Sequence, residues 1–98
     1  MEMKLALKVD NKDNVATIFA NGIKSGAHVE MRDKKGRVEV ITVNGDVPYG
    51  HKIAVTDIPS GSHIIKYGES IGAACCDIAK GDYVHVHNMV ALRGRGDL

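Results

Sequence analysis

Tryptophan is absent, phenylalanine occurs once and tyrosine three times. Aliphatic side chains must therefore fill the core. The aromatic platform on which single-stranded nucleic acid stacks is missing. Charge of one sign is missing too. The formal net charge is +1, which excludes a broad attraction to nucleic acid or to an anionic membrane. No apolar run approaches the length of a transmembrane helix. Met1-Glu2-Met3-Lys4 leads into an alternating stretch rather than the apolar centre of a signal peptide. The two cysteines, Cys75 and Cys76, are adjacent. Neighbours on a strand point to opposite faces, so a disulfide between them would be strained. They read as reduced thiols, packed as small hydrophobes in a half-buried strand, and the expected compartment is cytoplasmic. A phosphate loop, a dinucleotide fingerprint and a Ser/His/Asp or Cys/His arrangement are all lacking.

What is present is strand and turn. The chain has 98 residues, enough for one domain with one modest core. Residues 4–9 alternate, with Leu5, Leu7 and Val9 on one face. Asp10 through Asn14 is a turn cluster. Val15 through Ala20 is read as a short helix, with Asp13 or Asn14 as N-cap and Asn21-Gly22 as the stop; a strand is the alternative. Val29–Arg32 and Arg37–Val43 flank Asp33-Lys34-Lys35-Gly36, a good hairpin loop. Asn44-Gly45 signals another turn. Further strand candidates are 52–56, 63–67, 70–78 and 82–90. Turn signals at this spacing predict a small, mainly β barrel or clip.

One turn is reused. Ile23-x-x-Gly26-x-x-Val29, Ile58-x-x-Gly61-x-x-Ile64 and Ile78-x-x-Gly81-x-x-Val84 share a form in which glycine supplies positive φ and apolar residues clamp either side. The unequal spacing excludes a solenoid repeat. His28 and His63 occupy equivalent places beside these turns and read as structural or exposed.

The densest run of possible ligand groups is Gly81 through Asn88. Read as a strand, it puts Val84 and Val86 on one face and Tyr83, His85 and His87 on the other. Two imidazoles so spaced lie about 6.5–7 Å apart at Cα, near enough to share a metal ion or an anion. A solvated polar face is the plainer account of the same pattern. Earlier in the chain, Pro48 and Gly50 define a bend that holds His51, either as a surface histidine or as a ligand or general acid/base. The site these residues allow comprises His51, His85, His87 and Asn88, with Lys52 or Lys66 nearby. Imidazole suits Zn²⁺ or Fe²⁺.

Three ordered segments carry a resemblance: Pro48-Tyr49-Gly50-His51-Lys52-Ile53-Ala54, Ile65-Lys66-Tyr67-Gly68-Glu69-Ser70-Ile71-Gly72 and Val84-His85-Val86-His87-Asn88. Together they resemble the small domain of the altronate/galactarate dehydratase family, an antifreeze-like SAF module with a β-clip fold. The likeness runs from about Asn14 to Leu98. A similar small subunit belongs to sulfolactate sulfo-lyase.

The resemblance implies a SAF domain over residues 1–92 and a flexible Arg/Gly tail over 93–98. It implies the small subunit of a metal-dependent hydroxy-acid lyase, a hydro-lyase acting on a sugar acid such as altronate or galactarate. Such a subunit is expected to be inactive without a separate large subunit. His51, His85 and His87 are then expected as catalytic residues, and Lys52, Lys66 and Asn88 as substrate-binding. His85 and His87 would ligate a divalent metal, Fe²⁺ or else Mn²⁺ or Zn²⁺. The alternatives are the sulfo-lyase subunit and a non-catalytic module that binds a sugar acid or a protein. Exposed β edges also allow a homodimer.

Overall fold

The computed structural model describes residues 4–91, and every described element is a strand. They are β1 (Lys4–Lys8), β2 (Val15–Ile18), β3 (His28–Asp33), β4 (Val38–Thr42), β5 (Lys52–Ala54), β6 (His63–Lys66), β7 (Glu69–Ala74), β8 (Tyr83–Val84) and β9 (Met89–Ala91). Six form one sheet in the order β4-β3-β1-β2-β5-β8, and β6-β7-β9 form the other. The expected mainly β domain is therefore found. The tail, residues 93–98, lies outside the described residues.

The expected short helix is a strand. β2 runs antiparallel to β1 and to β5, and all four of its residues are buried. Val15, Thr17 and Ile18 are β-branched, which suits a pleated strand packed on both faces. The residues read as helix caps staple the two sheets instead. Asp13 Oδ1 accepts from Gly68 N–H at 2.8 Å, and Asn14 Oδ1 accepts from Ile65 N–H at 2.7 Å. Neither oxygen is left for a helix terminus. In β1 the buried residue is Ala6, with Leu5 and Leu7 half-buried, as is Val9 just after it. β1 lies between β3 and β2, and the side of it facing the core takes the small side chain.

The hairpin at Asp33–Gly36 forms as read: β3 pairs antiparallel with β4, and Gly36 N–H donates to Asp33 C=O at 3.1 Å. A tighter hairpin joins β6 to β7 through Tyr67 (φ 56°) and Gly68 (φ 76°). Two successive positive φ values match the right-handed twist of the flanking strands. β7 ends at Ala74, so Cys75 and Cys76 are exposed free thiols beyond it rather than members of a half-buried strand.

Among the described residues the reused turn occurs four times, not three. Val47-Pro48-Tyr49-Gly50-His51-Lys52-Ile53 is the further copy, hidden in the sequence by valine in the first place. All four glycines have φ between 82° and 94°. In each copy the glycine N–H donates to a carbonyl across the turn, and that residue's N–H donates back to the carbonyl after the glycine. Gly50 N to Ile18 O and Ile18 N to His51 O, both 2.8 Å, are one instance. Gly81 N to Ala54 O (2.8 Å) and Ala54 N to Asp82 O (2.9 Å) are another. The turns associate in pairs through antiparallel bridges, Ile23 with Val47 and Ile58 with Ile78.

Each pair of turns encloses a core. The first holds Ile23, Val29, Val43, Val47 and Ile53, together with Ile18 and Ile41. The second holds Ile58, Ile64, Ala74, Ile78 and Val84, together with Met89. β5 lies at their junction, with Ile53 in the first core and Ala54 in the second. Its antiparallel pairing with β8 brings Lys52 opposite Val84 and Ile53 opposite Tyr83.

Candidate functional site

The chemistry-bearing residues gather on that β5–β8 seam. The bend at Pro48–Gly50 delivers His51 and Lys52 to the start of β5, and the corresponding turn at Gly81 delivers Tyr83 to β8. The His51 and His85 rings lie 5.0 Å apart between centroids, inclined at 70°. Tyr83 is common to all three histidines. Its ring is 5.7 Å from His51 edge-on, 5.6 Å from His85 in a near-parallel stack, and 5.4 Å from His87 at a tilt. Sequence reasoning put Tyr83 beside His85 and His87 but gave it no role in a site. Its central place follows only from the β5–β8 register.

The run from Tyr83 to Asn88 is not a continuous strand. β8 stops at Val84, residues 86–88 form a turn, and β9 starts at Met89. Val86 is consequently 74% exposed while Val84 is fully buried, so the two valines do not share a face. Asn88 causes the break. Its side chain is buried, with Oδ1 accepting from His85 N–H at 2.9 Å and Nδ2 donating to Tyr83 C=O at 2.8 Å. The turn folds both imidazoles back against Tyr83, where an extended strand would have aligned them side by side.

His51 Nδ1 lies 3.3 Å from the Tyr49 carbonyl. A proton on Nδ1 directed there leaves Nε2 as the free acceptor. Lys52 is half-buried. Burial lowers its pKa below the ordinary range, and the positive charge of Lys66 lowers it further. Lys66 thus reaches the neighbourhood of Lys52 from the other sheet, with its ammonium 5.1 Å from the Tyr67 ring centroid. The His85 pKa is also lowered, first by burial and then by Lys52, His51 and His87. Every side chain that perturbs these two groups is itself cationic or able to become so. Such a cluster favours an anion, whose charge would offset the mutual repulsion.

His28 and His63 stand apart from the cluster. His28 Nδ1 pairs with Thr42 Oγ1 at 3.0 Å, and His63 Nδ1 pairs with Ser70 Oγ at 2.7 Å. Both are exposed, as expected for residues equivalent in the repeated turn. Among the described residues no three His, Cys, Asp or Glu side chains are arranged to hold a metal ion. The imidazoles present do not by themselves complete a metal site. Likewise no described helix is long and apolar enough to cross a membrane.

Residues 4–92 match the family model described as the altronate/galactarate dehydratase SAF domain. The chain is 42% identical to altronate dehydratase of Escherichia coli (strain K12) over 82 residues, covering 84% of this chain and 15% of that protein. It is 41% identical over 87 residues to the galactarate dehydratase (L-threo-forming) of the same organism, covering 88% of this chain and again 15% of the relative. With (2R)-sulfolactate sulfo-lyase subunit alpha of Chromohalobacter salexigens it shares 32% identity over 88 residues, and there the match spans 86% of this chain and 90% of the relative. The chain thus corresponds to a small part of the dehydratases and to nearly all of the sulfo-lyase subunit. With its all-strand fold and the matched span, it belongs to the SAF-domain family of altronate/galactarate dehydratases.

Proposed function

We propose that this chain is the small subunit of a cytoplasmic hydroxy-acid lyase and supplies the positively charged part of its active site. The observation that carries this is the seam itself: three imidazoles and two ammonium groups converging from β5, β6 and the turn after β8. Lys52 and Lys66 would bind the substrate carboxylate. His85, whose pKa is lowered, would be unprotonated and would take the proton from the carbon beside the carboxylate as the C–O bond breaks; the pair of rings it forms with His51 would return that proton to the departing β-hydroxyl, which leaves as water. The likeness to altronate and galactarate dehydratases supports a hydro-lyase acting on a sugar acid. The match along nearly the whole of a sulfo-lyase alpha subunit supports the role of a separate small subunit. It also keeps sulfite elimination from a sulfonated hydroxy acid as the second reading.

The reading requires a large subunit. The described residues do not complete a metal site, so Fe²⁺, or else Mn²⁺ or Zn²⁺, would need further ligands from that partner. When bound, it would supply the Lewis acidity that assists loss of the leaving group. The surface beside the cluster suits a protein contact. Phe19 and Tyr49 form an exposed edge-to-face pair 6.0 Å apart, and Val86 stands out between His85 and His87. The test is purification of the tagged chain from its host, followed by assay of the complex on altronate, galactarate and sulfolactate. A stoichiometric large subunit with turnover that His85→Ala abolishes is expected. Recovery of the chain alone, or full turnover in both His85→Ala and His87→Ala complexes, would overturn the proposal.

A further inference from the structure

We infer that Asn88 is a positioning residue, whose side-chain amide holds His85 stacked on Tyr83. The functional importance of that stack rests on the reading of the seam as an acid-binding site, but the geometry does not. Asn88 is 5% exposed. Its amide oxygen is taken by His85 N–H and its amide nitrogen by Tyr83 C=O. Its backbone is committed as well. Asn88 N–H and Met89 N–H both donate to His85 C=O at 3.0 Å, and Asn88 C=O accepts from Cys75 N–H at 2.9 Å. The residue therefore ties His85 from both its amide and its carbonyl, and anchors the turn to the segment after β7. A substrate could engage this amide fully only by breaking a bond that shapes the turn.

The chemistry also explains why asparagine serves here. The turn presents one backbone donor, on His85, and one backbone acceptor, on Tyr83, to the same buried side chain. A neutral carboxamide satisfies both at once through two separate atoms, the oxygen accepting and the nitrogen donating. Aspartate would place a second acceptor against the Tyr83 carbonyl and a negative charge beside Lys52 and the imidazoles. Alanine would leave the part-buried His85 N–H and Tyr83 C=O without these partners. In either variant the constraint that closes the turn is weakened, and the His85 ring is released from its near-parallel stack of 10° and 5.6 Å.

NMR of the full chain tests this without the large subunit. The wild type is expected to show His85 ring protons shifted by the Tyr83 ring current and a slowly exchanging His85 amide. In Asn88→Ala the ring-current shift should collapse and the amide should exchange at least about tenfold faster, as expected when a bonded amide is freed. Asp33→Ala removes turn bonds to Lys35 N–H and Arg37 N–H in the distant β3–β4 hairpin and should alter neither signal, which separates positioning from general loosening. If Asn88→Ala is too unstable to fold, Asn88→Asp serves. It keeps the acceptor for His85 N–H, so amide protection should persist while the stack is lost. Retention of the ring-current shift in the folded variant would overturn the inference. Sulfate, titrated into the wild type, should move the His51 and His85 ring signals ahead of the Asn88 side-chain amide. Movement led by that amide would make Asn88 a direct ligand and overturn the inference. If sulfate moves none of them, the acid-binding reading fails, while the comparison of wild type with variant still decides what Asn88 does.

Discussion

Turns 23–29 and 47–53 enclose Ile23, Val29, Val43, Val47 and Ile53; turns 58–64 and 78–84 enclose Ile58, Ile64, Ala74, Ile78 and Val84 in the corresponding places. The framework is thus repeated almost residue for residue, yet the two units differ in how they are tied. In the second, the ties are reciprocal. Asp57 Oδ1 accepts from Lys80 N–H and Asp77 Oδ1 from Ser60 N–H, both at 2.9 Å. In the first, Asp46 Oδ1 accepts from Ser25 N–H at 3.0 Å, but the place equivalent to Asp57 is Gly22, at φ 72°. The units differ again in the residues just after the turn glycine. His51-Lys52 comes after Gly50, whereas Asp82-Tyr83 comes after Gly81. Shared backbone geometry sets the positions. Unlike side chains at those positions, brought together on the seam, make the site.

The largest expected difference concerns the turn glycines. A Cβ on Gly81 would stand 2.2 Å from Thr42 C=O, whereas one on Gly26 or Gly61 would meet nothing within 4 Å. Gly26→Ala and Gly61→Ala should cost about 1–2 kcal/mol, the ordinary penalty of a side chain in the left-handed region. Gly81→Ala adds a collision with backbone and should cost about 3–5 kcal/mol or prevent folding. Urea unfolding of the three variants measures this. Equal losses would mean that the Gly81 turn moves freely away from β4.

The cores come next. Ile23 and Ile58 are each 2% exposed and equivalently placed, and truncation of either to Ala should cost about 2–5 kcal/mol. Because β2 and β5 contribute to both cores, both variants should unfold in one transition with amides of the two units opening together. Separate opening of the second unit in Ile58→Ala would show that the shared strands do not couple the halves.

The aspartate ties give a smaller effect, about 0.5–1.5 kcal/mol for each hydrogen bond removed. Asp57→Ala and Asp77→Ala should each lower the urea midpoint, as should Asp46→Ala. In the first unit no second variant of this kind exists, because Gly22 has no side chain to remove. A negligible effect of all three would leave the glycine bonds as the sufficient constraint.

Much of this architecture is legible in the sequence, and the failures have identifiable causes. Three of the four turns appear as Ile-x-x-Gly-x-x-aliphatic, and the fourth is missed only because Val47 replaces isoleucine. The hairpin at Asp33–Gly36 is read correctly because its turn is local. β2 is misread because Asp13 and Asn14 look like helix caps, while their bonds run to Gly68 and Ile65 in the other sheet. The same limitation applies at the site. The sequence names His51, Lys52, Lys66, His85, His87 and Asn88 as site residues, and the fold brings His51, His85 and His87 around Tyr83, with Lys52 near His85 and Lys66 near Lys52. What alternation cannot show is that one buried amide interrupts the strand, or that Tyr83 lies opposite Ile53. Both depend on pairings distant in sequence or on a side chain acting as backbone.

The smallest expected effect is the most direct probe of the seam. Tyr83 and Lys52 hold the same place in their respective turns, and of the two Lys52 alone is a cation. Burial and the neighbouring Lys52, His51 and His87 hold the His85 pKa below its ordinary value of 6.5. The folded protein therefore binds the His85 proton less readily than the unfolded chain does. Linkage gives the sign: this group contributes stability above about pH 6.5, and that contribution is lost as the pH falls from there toward the folded-state pKa. Lys52→Met retains most of the apolar stem and removes the charge, so it should raise the His85 pKa toward 6.5 and make this acid-side loss of stability smaller. Sulfate, by favouring the protonated imidazole, should raise the His85 pKa in the wild type and do so less in Lys52→Met. Proton NMR titration of the His85 ring reads both changes. A wild-type His85 that titrates at or above 6.5, unmoved by Lys52→Met, would mean that the cations on β5 and in the turn after β8 do not feel one another. The contrast between the two turns would then be one of sequence without electrostatic consequence.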